Sequence, residues 1–239
     1  MIRILIGGKV LRYNSNHIFQ LREIGLSLSF VGGFIDAYTF VQRGGVLAAG
    51  QTGNLIFLSV SIAQRDILGI FTKLVTILSF MLGVALVQVF KVKVKPHSHY
   101  WRSLSLIAEL IACIIIALLP KSIPNYWITP PLALVMAMQN TSFTHIIGRG
   151  YNNVFSTGNL QKGIIAVTNF LMLHDRKQLT TGTVYFELVL SFGFGAVFSA
   201  LFQNVFHTYT IIIAALLIII IGGYYNYLLY QRQKNENVT

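Results

Sequence analysis

The tripeptide Thr-Gly-Asn occurs twice in this chain, as Thr52-Gly53-Asn54 and Thr157-Gly158-Asn159, each time inside an apolar stretch. Thr and Asn are good helix N-caps, and Gly permits a close, non-helical turn leading in. Each box is therefore expected to open a short helix. Leu55–Ile62 would make about 12 Å of helix at ~1.5 Å per residue and Leu160–Phe170 about 16 Å, both well short of a ~30 Å hydrocarbon core. A helix that starts at membrane depth turns free N–H groups and the positive end of its dipole inward. Two such ends facing each other would bind an anion or the oxygen of a polar solute. The plainer alternative is that the boxes cap broken helices and lock two halves of the molecule together.

Asp36 is the second candidate. It lies two-thirds of the way along the first apolar stretch, in Phe34-Ile35-Asp36-Ala37, where an ionisable group is costly. The matching segment further on is Met138-Gln139-Asn140-Thr141, which gives Asp36 an uncharged counterpart in Asn140. Proton coupling or cation binding is the functional reading of Asp36; a structural Asp, paired with Arg43 or capping a box, is the alternative. Gln51, Gln139, Asn140 and Ser156 add neutral donors and acceptors near the same levels. The expected substrate-binding set is thus Asp36, Gln51, Thr52, Gly53, Asn54, Gln139, Asn140, Ser156, Thr157, Gly158 and Asn159.

The remaining chemical groups promise less. Glu109 sits a few residues into an apolar stretch and is expected to snorkel or to pair with the Lys91–Lys95 loop; Glu187 lies within or beside another. His145 and Arg149, near the end of an apolar stretch, are expected at an interface, with a lining role as the alternative. His97-x-His99 is a weak metal signal without a Cys, Asp or third His in reach. Cys113 is the only cysteine, so no intramolecular disulfide forms, and its apolar setting reads as a small buried hydrophobe. No cofactor is expected, and without a nucleophile–base pair or metal spacing the chain does not read as an enzyme.

The elements that must position these groups are membrane helices. Hydrophobic residues make up 54% of the 239 and charged residues only 10%, against about 25% in a usual globular chain, and mean hydropathy is +0.66. Six stretches are about long enough to cross a bilayer: Ile24–Val41, Leu68–Val89, Leu104–Leu119, Ile128–Ile147, Val184–Val205 and Tyr209–Leu229. Val46–Ala63 and Val154–Leu173 hold the boxes and look interrupted. The start of the chain does not read as a signal peptide, since Met1–Gly8 is too short an apolar run and Lys9, Arg12 and Arg22 follow.

Charge chooses between topologies. With both boxes re-entrant there are six crossings, and 14 of the 18 basic residues fall on the side of the two termini; only Arg43, Arg65, Lys73 and Lys121 lie opposite. With eight full crossings the dense Lys91/Lys93/Lys95/Arg102 loop would face away from the basic N-terminus. Lys and Arg mark the cytoplasmic side, so six crossings with both termini inside are expected. This distribution also explains the net charge of +11 without nucleic acid. Trp101, Trp127 and Tyr224, Tyr225, Tyr227 and Tyr230 border spans as interfacial aromatics do.

Leu78-Ser79-Phe80-Met81-Leu82-Gly83 is answered by Leu190-Ser191-Phe192-Gly193-Phe194-Gly195, so the halves are related. Three crossings per half, an odd number, would invert the second half relative to the first and put a functional site near the midplane. The expected organisation is a basic cytoplasmic segment (1–22), a first membrane repeat (23–120), a second (121–230) and a polar tail (231–239), with the first dozen residues and the tail mobile. Gly193, Gly195, Ala196, Ser199 and Ala200 suggest close helix contact through small residues.

With Gly33-Phe34-Ile35-Asp36-Ala37, then Gly44-Gly45-Val46, Gln51-Thr52-Gly53-Asn54 and Met138-Gln139-Asn140, the chain resembles the YoaK-like family of bacterial membrane proteins, DUF1275, over roughly Arg22 to Tyr230. The resemblance implies a six-span inner-membrane protein and implies no substrate. The expectation that follows is an all-α polytopic membrane protein, six transmembrane helices plus two re-entrant or broken half-helices in two inverted-topology repeats. Its expected function is as a small-solute transporter or permease of the bacterial inner membrane, with proton coupling through Asp36. A passive channel for a neutral or anionic solute and a non-transporting scaffold are the alternatives. The expected partners are the lipid bilayer and a small polar or anionic solute, with homo-oligomers compatible.

Overall fold

In the structure, a computed structural model describing residues 2–6, 9–13, 15–93 and 99–236, eight α-helices carry most of the chain. They are α1 (Arg22–Gln42), α2 (Gln51–Ala63), α3 (Ile67–Lys93), α4 (Ser103–Leu118), α5 (Asn125–Ser142), α6 (Ser156–Leu173), α7 (Arg176–Phe206) and α8 (Ile211–Glu236). Ile2–Ile6 (β1) pairs antiparallel with Lys9–Tyr13 (β2), a hairpin where mobile chain was expected. A second, minimal hairpin, His145–Ile146 (β3) with Arg149–Gly150 (β4), follows α5.

Among the described residues, four helical stretches are long and apolar enough to cross a membrane: Arg22–Gln42, Ile67–Lys93, Tyr100–Leu118 and Arg176–Asn235. The last joins α7 to α8 through one 3-10 turn at His207–Thr210. The expected span Ile128–Ile147 is overdrawn, because α5 stops at Ser142 and His145–Ile146 is extended. The chain turns there through left-handed backbone at Ile147 and Gly148.

Partners are exchanged between the halves. Helix α1 lies parallel to α7: Arg22 pairs with Glu187, Ser191 Oγ donates to Leu26 O at 2.7 Å, and Tyr38 OH donates to Thr208 O at 3.1 Å. Helix α3 lies parallel to α5 in the same way. Thr76 and Thr129 hydroxyls meet at 2.8 Å and Lys91 Nζ donates to Thr141 O at 2.6 Å. Helices α4 and α8 run antiparallel, with Ser103 Oγ donating to Asn226 Oδ1.

The close approach has a steric cause. A Cβ on Gly33 would sit 2.0 Å from Phe192 O, one on Gly195 1.9 Å from Phe30 O, and one on Gly83 2.3 Å from Leu134 O. Backbones at that separation admit only glycine, so small residues draw the helices together as read from Gly195. Gly193 has nothing near it and takes no part.

One apolar core joins α1, α4, α5 and α8, with Leu28, Phe34, Cys113, Leu132, Met136, Ala214 and Ile218 among its buried members. Ala48 and Ala49, just before α2, and Val154, just before α6, belong to the same core. Both connecting segments therefore leave a helix end and dip inward before their short helix begins. Helices α2 and α6 are otherwise peripheral, α2 packing on α3 and α6 on α7. Their flanks present exposed Leu55, Ile56, Val60, Leu160, Ile164 and Ile165, the composition of a lipid-facing surface.

Candidate functional site

Buried, irregular backbone must find hydrogen-bond partners. In the segment from Arg43 to Gly50, Arg43 and Gly45 N–H bond back to α1 carbonyls, and Leu47 to Ala49 find partners in polar side chains. Asp36 Oδ1 accepts from Ala49 N–H at 2.7 Å, and Thr39 Oγ1 accepts from Ala48 N–H at 3.1 Å while donating to Asp36 O. Asn54 reaches back seven residues. Its Oδ1 accepts from Leu47 N–H at 2.8 Å, and its Nδ2 donates to Leu47 O at 2.6 Å and to Gln51 Oε1 at 2.9 Å. A carboxamide offers the same donor and acceptor as a peptide group, so Asn54 pairs with Leu47 as a neighbouring strand would. Gln51 completes the staple through Nε2 to Ala48 O.

The second box does the same at the same spacing. Asn159 Oδ1 accepts from Asn152 N–H at 3.3 Å and Nδ2 donates to Asn152 O at 2.6 Å. Asn152 Oδ1 in turn accepts from the N–H groups of Val154 and Phe155. Above them Asn153 Nδ2 donates to Gln139 Oε1 at 2.8 Å. Gln139 thus holds the second segment from α5 as Asp36 holds the first from α1, with one side chain interposed.

These contacts correct the capping expectation. The residues at the N-cap positions are Gly50 and Phe155, neither of which makes a side-chain cap, and the box residues lie within the first helical turn. Thr and Asn are not used as caps because the Asn amide has a stronger claim on it from the loop backbone. Helix α6 is also longer than the half-helix read from sequence, 18 residues or about 27 Å.

Placement of the expected residues divides them. Asp36, Asn54, Gln139 and Asn159 are buried; Gln51, Gly53, Asn140 and Ser156 are half-buried; Thr52, Thr157 and Gly158 are exposed. The structure gathers Asp36, Gln51 and Asn54 around one segment, and Gln139 and Asn159 around the other, and no hydrogen bond links the two groups. The alternative pairing of Asp36 with Arg43 is not made: the Arg43 guanidinium donates through Nε and Nη2 to Tyr38 OH at 3.1 and 3.0 Å.

Glu109 departs most from its reading. Rather than snorkelling or meeting the lysine loop, it is completely buried on the inner face of α4. Lys91 is occupied with Thr141 O and stacks near Trp101; Lys93 is exposed, and Lys95 lies outside the described residues. The Glu109 carboxyl lies beside the Gln139 side chain, yet neither of its oxygens, nor Gln139 Nε2, nor Asn153 Oδ1, closes a hydrogen bond with the protein. Its register explains the burial: Leu106, Glu109, Cys113, Ile116 and Ala117 share one helical face turned to the core.

Sequence reasoning missed Asn152 and Asn153, and with them the buried setting of Glu109. Two consecutive Asn seven and six residues before Asn159, at the edge of an apolar stretch, were the available signal. Of the other candidates, Arg149 Nε donates to Thr181 Oγ1 and His145 is exposed on the β3–β4 hairpin. Glu187 forms an exposed pair with Arg22. His97 lies outside the described residues, and among those described no cluster has the make-up of a metal site.

No curated protein and no solved structure matches the chain. The profile of a protein family of unknown function, DUF1275, matches residues 24–224. That match covers most of the chain, its two boxes and both buried carboxyls, and the chain belongs to this family.

Proposed function

We propose that this protein is a small-solute transporter or permease of the bacterial cell membrane, with a site where the two inward-dipping segments meet the core. In this reading six helices cross the bilayer, α2 and α6 are re-entrant, and both termini are cytoplasmic. The halves are inverted repeats. The exchanged pairing of α1 with α7 and of α5 with α3, together with the antiparallel α4 and α8, supports that relation.

The observation that carries the reading is the Glu109–Gln139–Asn153 cluster. A scaffold has little reason to keep a carboxyl, an amide donor and an amide acceptor unpaired in its core, because each unmade bond costs about 1–3 kcal/mol. Polar groups of this kind at membrane depth mark solute or proton pathways. Within the reading, Glu109 is the proton-coupling carboxyl. Asp36 already spends Oδ1 on the backbone of the first segment, where loss of charge would loosen the fold.

Reconstituted vesicles supplied with a panel of small polar and anionic solutes, with and without a pH gradient, provide the test. Gradient-driven accumulation is expected in the wild type, lost in Glu109→Gln while exchange of the same solute persists. Flux that ignores the gradient in the wild type would identify a channel. Uptake no greater than in empty vesicles across the panel would remove the transport reading.

A further inference from the structure

At the end of the bundle where α1 and α8 meet the turn His207–Thr210, a cavity of about 160 Å³ is walled by Arg43, Gly44, Asp66, Thr72, Lys73 and Asn125. It shares no residue with the Glu109 cluster and draws on the two residues that follow α1, on Asp66 and the start of α3, and on the first residue of α5. Two of the four basic residues that break the charge asymmetry of the sequence, Arg43 and Lys73, come together here.

Both residues are largely buried, Arg43 at 2% exposure and Lys73 at 7%. Arg43 turns Nε and Nη2 to Tyr38 OH, which leaves Nη1 without a hydrogen bond among the described residues. Lys73 Nζ has neither a hydrogen-bond nor an ion-pair partner among them; the one ion pair they contain is Arg22–Glu187. Asp66 borders the cavity from an exposed position, with Oδ1 accepting from Gly69 N–H at 3.0 Å, and reaches neither cation at ion-pair distance. Asn125 adds a neutral carboxamide, its Nδ2 within 2.8 Å of where a Cβ on Gly44 would stand, and Gly44 itself takes a φ of +80°. Buried cations need a counter-charge or a set of acceptors, and the walls supply no carboxylate at contact distance.

The geometry points to an oxyanion-binding site: Arg43, Lys73 and Asn125 receive a carboxylate or phosphate group carried by a small solute or by a lipid headgroup. Guanidinium and ammonium donors at one cavity match such a group through charge-assisted hydrogen bonds, and the volume admits one group of that size. The inference stands without the transport reading, since it concerns binding alone.

The test uses the full chain purified in an uncharged maltoside detergent, titrated calorimetrically with inorganic phosphate and, separately, with a short-chain phosphatidylglycerol at constant ionic strength. Saturable binding of at least one probe is expected, weakened about tenfold or more by Lys73→Met and largely restored in Lys73→Arg. Asp66→Asn should tighten binding about two- to threefold, because it removes the opposing charge while an amide oxygen keeps the Gly69 contact. Free phosphate binding assigns the site to a soluble ligand; lipid binding alone, with the same response to the variants, assigns it to a headgroup. Absence of binding by both probes would overturn the site, as would an unchanged affinity in folded Lys73→Met. If Lys73→Met does not fold, an Asp66→Asn affinity equal to wild type overturns it instead.

Discussion

The two halves solve one problem with different chemistry. Each must hold a segment of irregular backbone inside an apolar core, and each does so with an Asn that pairs with the residue seven positions earlier. They diverge at the helix that clamps the segment from the other side. In the first half a carboxylate, Asp36, bonds the backbone directly; in the second an amide, Gln139, works through Asn153 and leaves donors and acceptors to spare. A satisfied carboxyl makes a rigid clamp, whereas a network with open valences beside a second carboxyl, Glu109, can take a proton or a solute group. Near-symmetry of sequence thus coexists with asymmetry of hydrogen bonding.

Helix packing is where the comparison breaks most completely. Replacing Gly195 by Leu drives a side chain into Phe30 O and should separate α1 from α7, with loss of monodisperse protein in size-exclusion chromatography. Gly193→Ala, two residues away in open space, should leave the melting temperature within about 2 °C of wild type, a change of ~0.5 kcal/mol or less.

The Asn staples come next in size. Asn54→Ala strands both polar groups of Leu47 and the Gln51 carbonyl, and should cost about 3–4 kcal/mol. Asn159→Ala loses one short and one long bond and should cost about 2 kcal/mol. Detergent-titrated unfolding that ranks them the other way would show that the halves are not held alike.

The two carboxyls sharpen the contrast. Asp36→Leu should destabilise by about 2–3 kcal/mol, because Ala49 N–H loses its acceptor. Glu109→Leu should cost little or stabilise, since it removes a buried carboxyl that lies beside Gln139 without closing a well-formed hydrogen bond. Thermal melting of the pair decides it, and a large loss in Glu109→Leu would place Glu109 among the structural residues. The smallest effect belongs to Arg22–Glu187: Glu187→Gln at this exposed pair should cost under about 1 kcal/mol and vanish at high salt.

Much of the fold was legible in composition and repetition. Long apolar runs give membrane helices, and the duplicated boxes mark the two breaks because Gly and Asn have few other reasons to recur inside apolar sequence. What a box residue does was harder to read. Thr and Asn suit an N-cap by local rules, yet Asn54 and Asn159 are claimed by loop backbone seven residues away, a contact that exists only once the segment folds back. Glu109 was misjudged because its distance from the helix start suggested snorkelling; only the packing of α4 against α5 and α8 fixes which face is inside. The exchange of partners between halves was not legible, since periodicity specifies a helix's buried stripe and not the helix that covers it.

That exchange has a consequence for how the protein is made. Helix α1 is synthesised first, but its parallel partner lies some 165 residues further along. At about 5–20 residues per second the nascent α1, with Asp36 on board, waits roughly 10–30 s for α7 to leave the ribosome. Over that interval the half-made chain needs a temporary neighbour, whether the insertion machinery or the first-half segment that Asp36 already clamps. The bond from Asp36 to Ala49, only thirteen residues downstream, is available at once. The clamp that looks merely structural in the finished molecule is therefore also the earliest means of hiding a carboxyl during biogenesis.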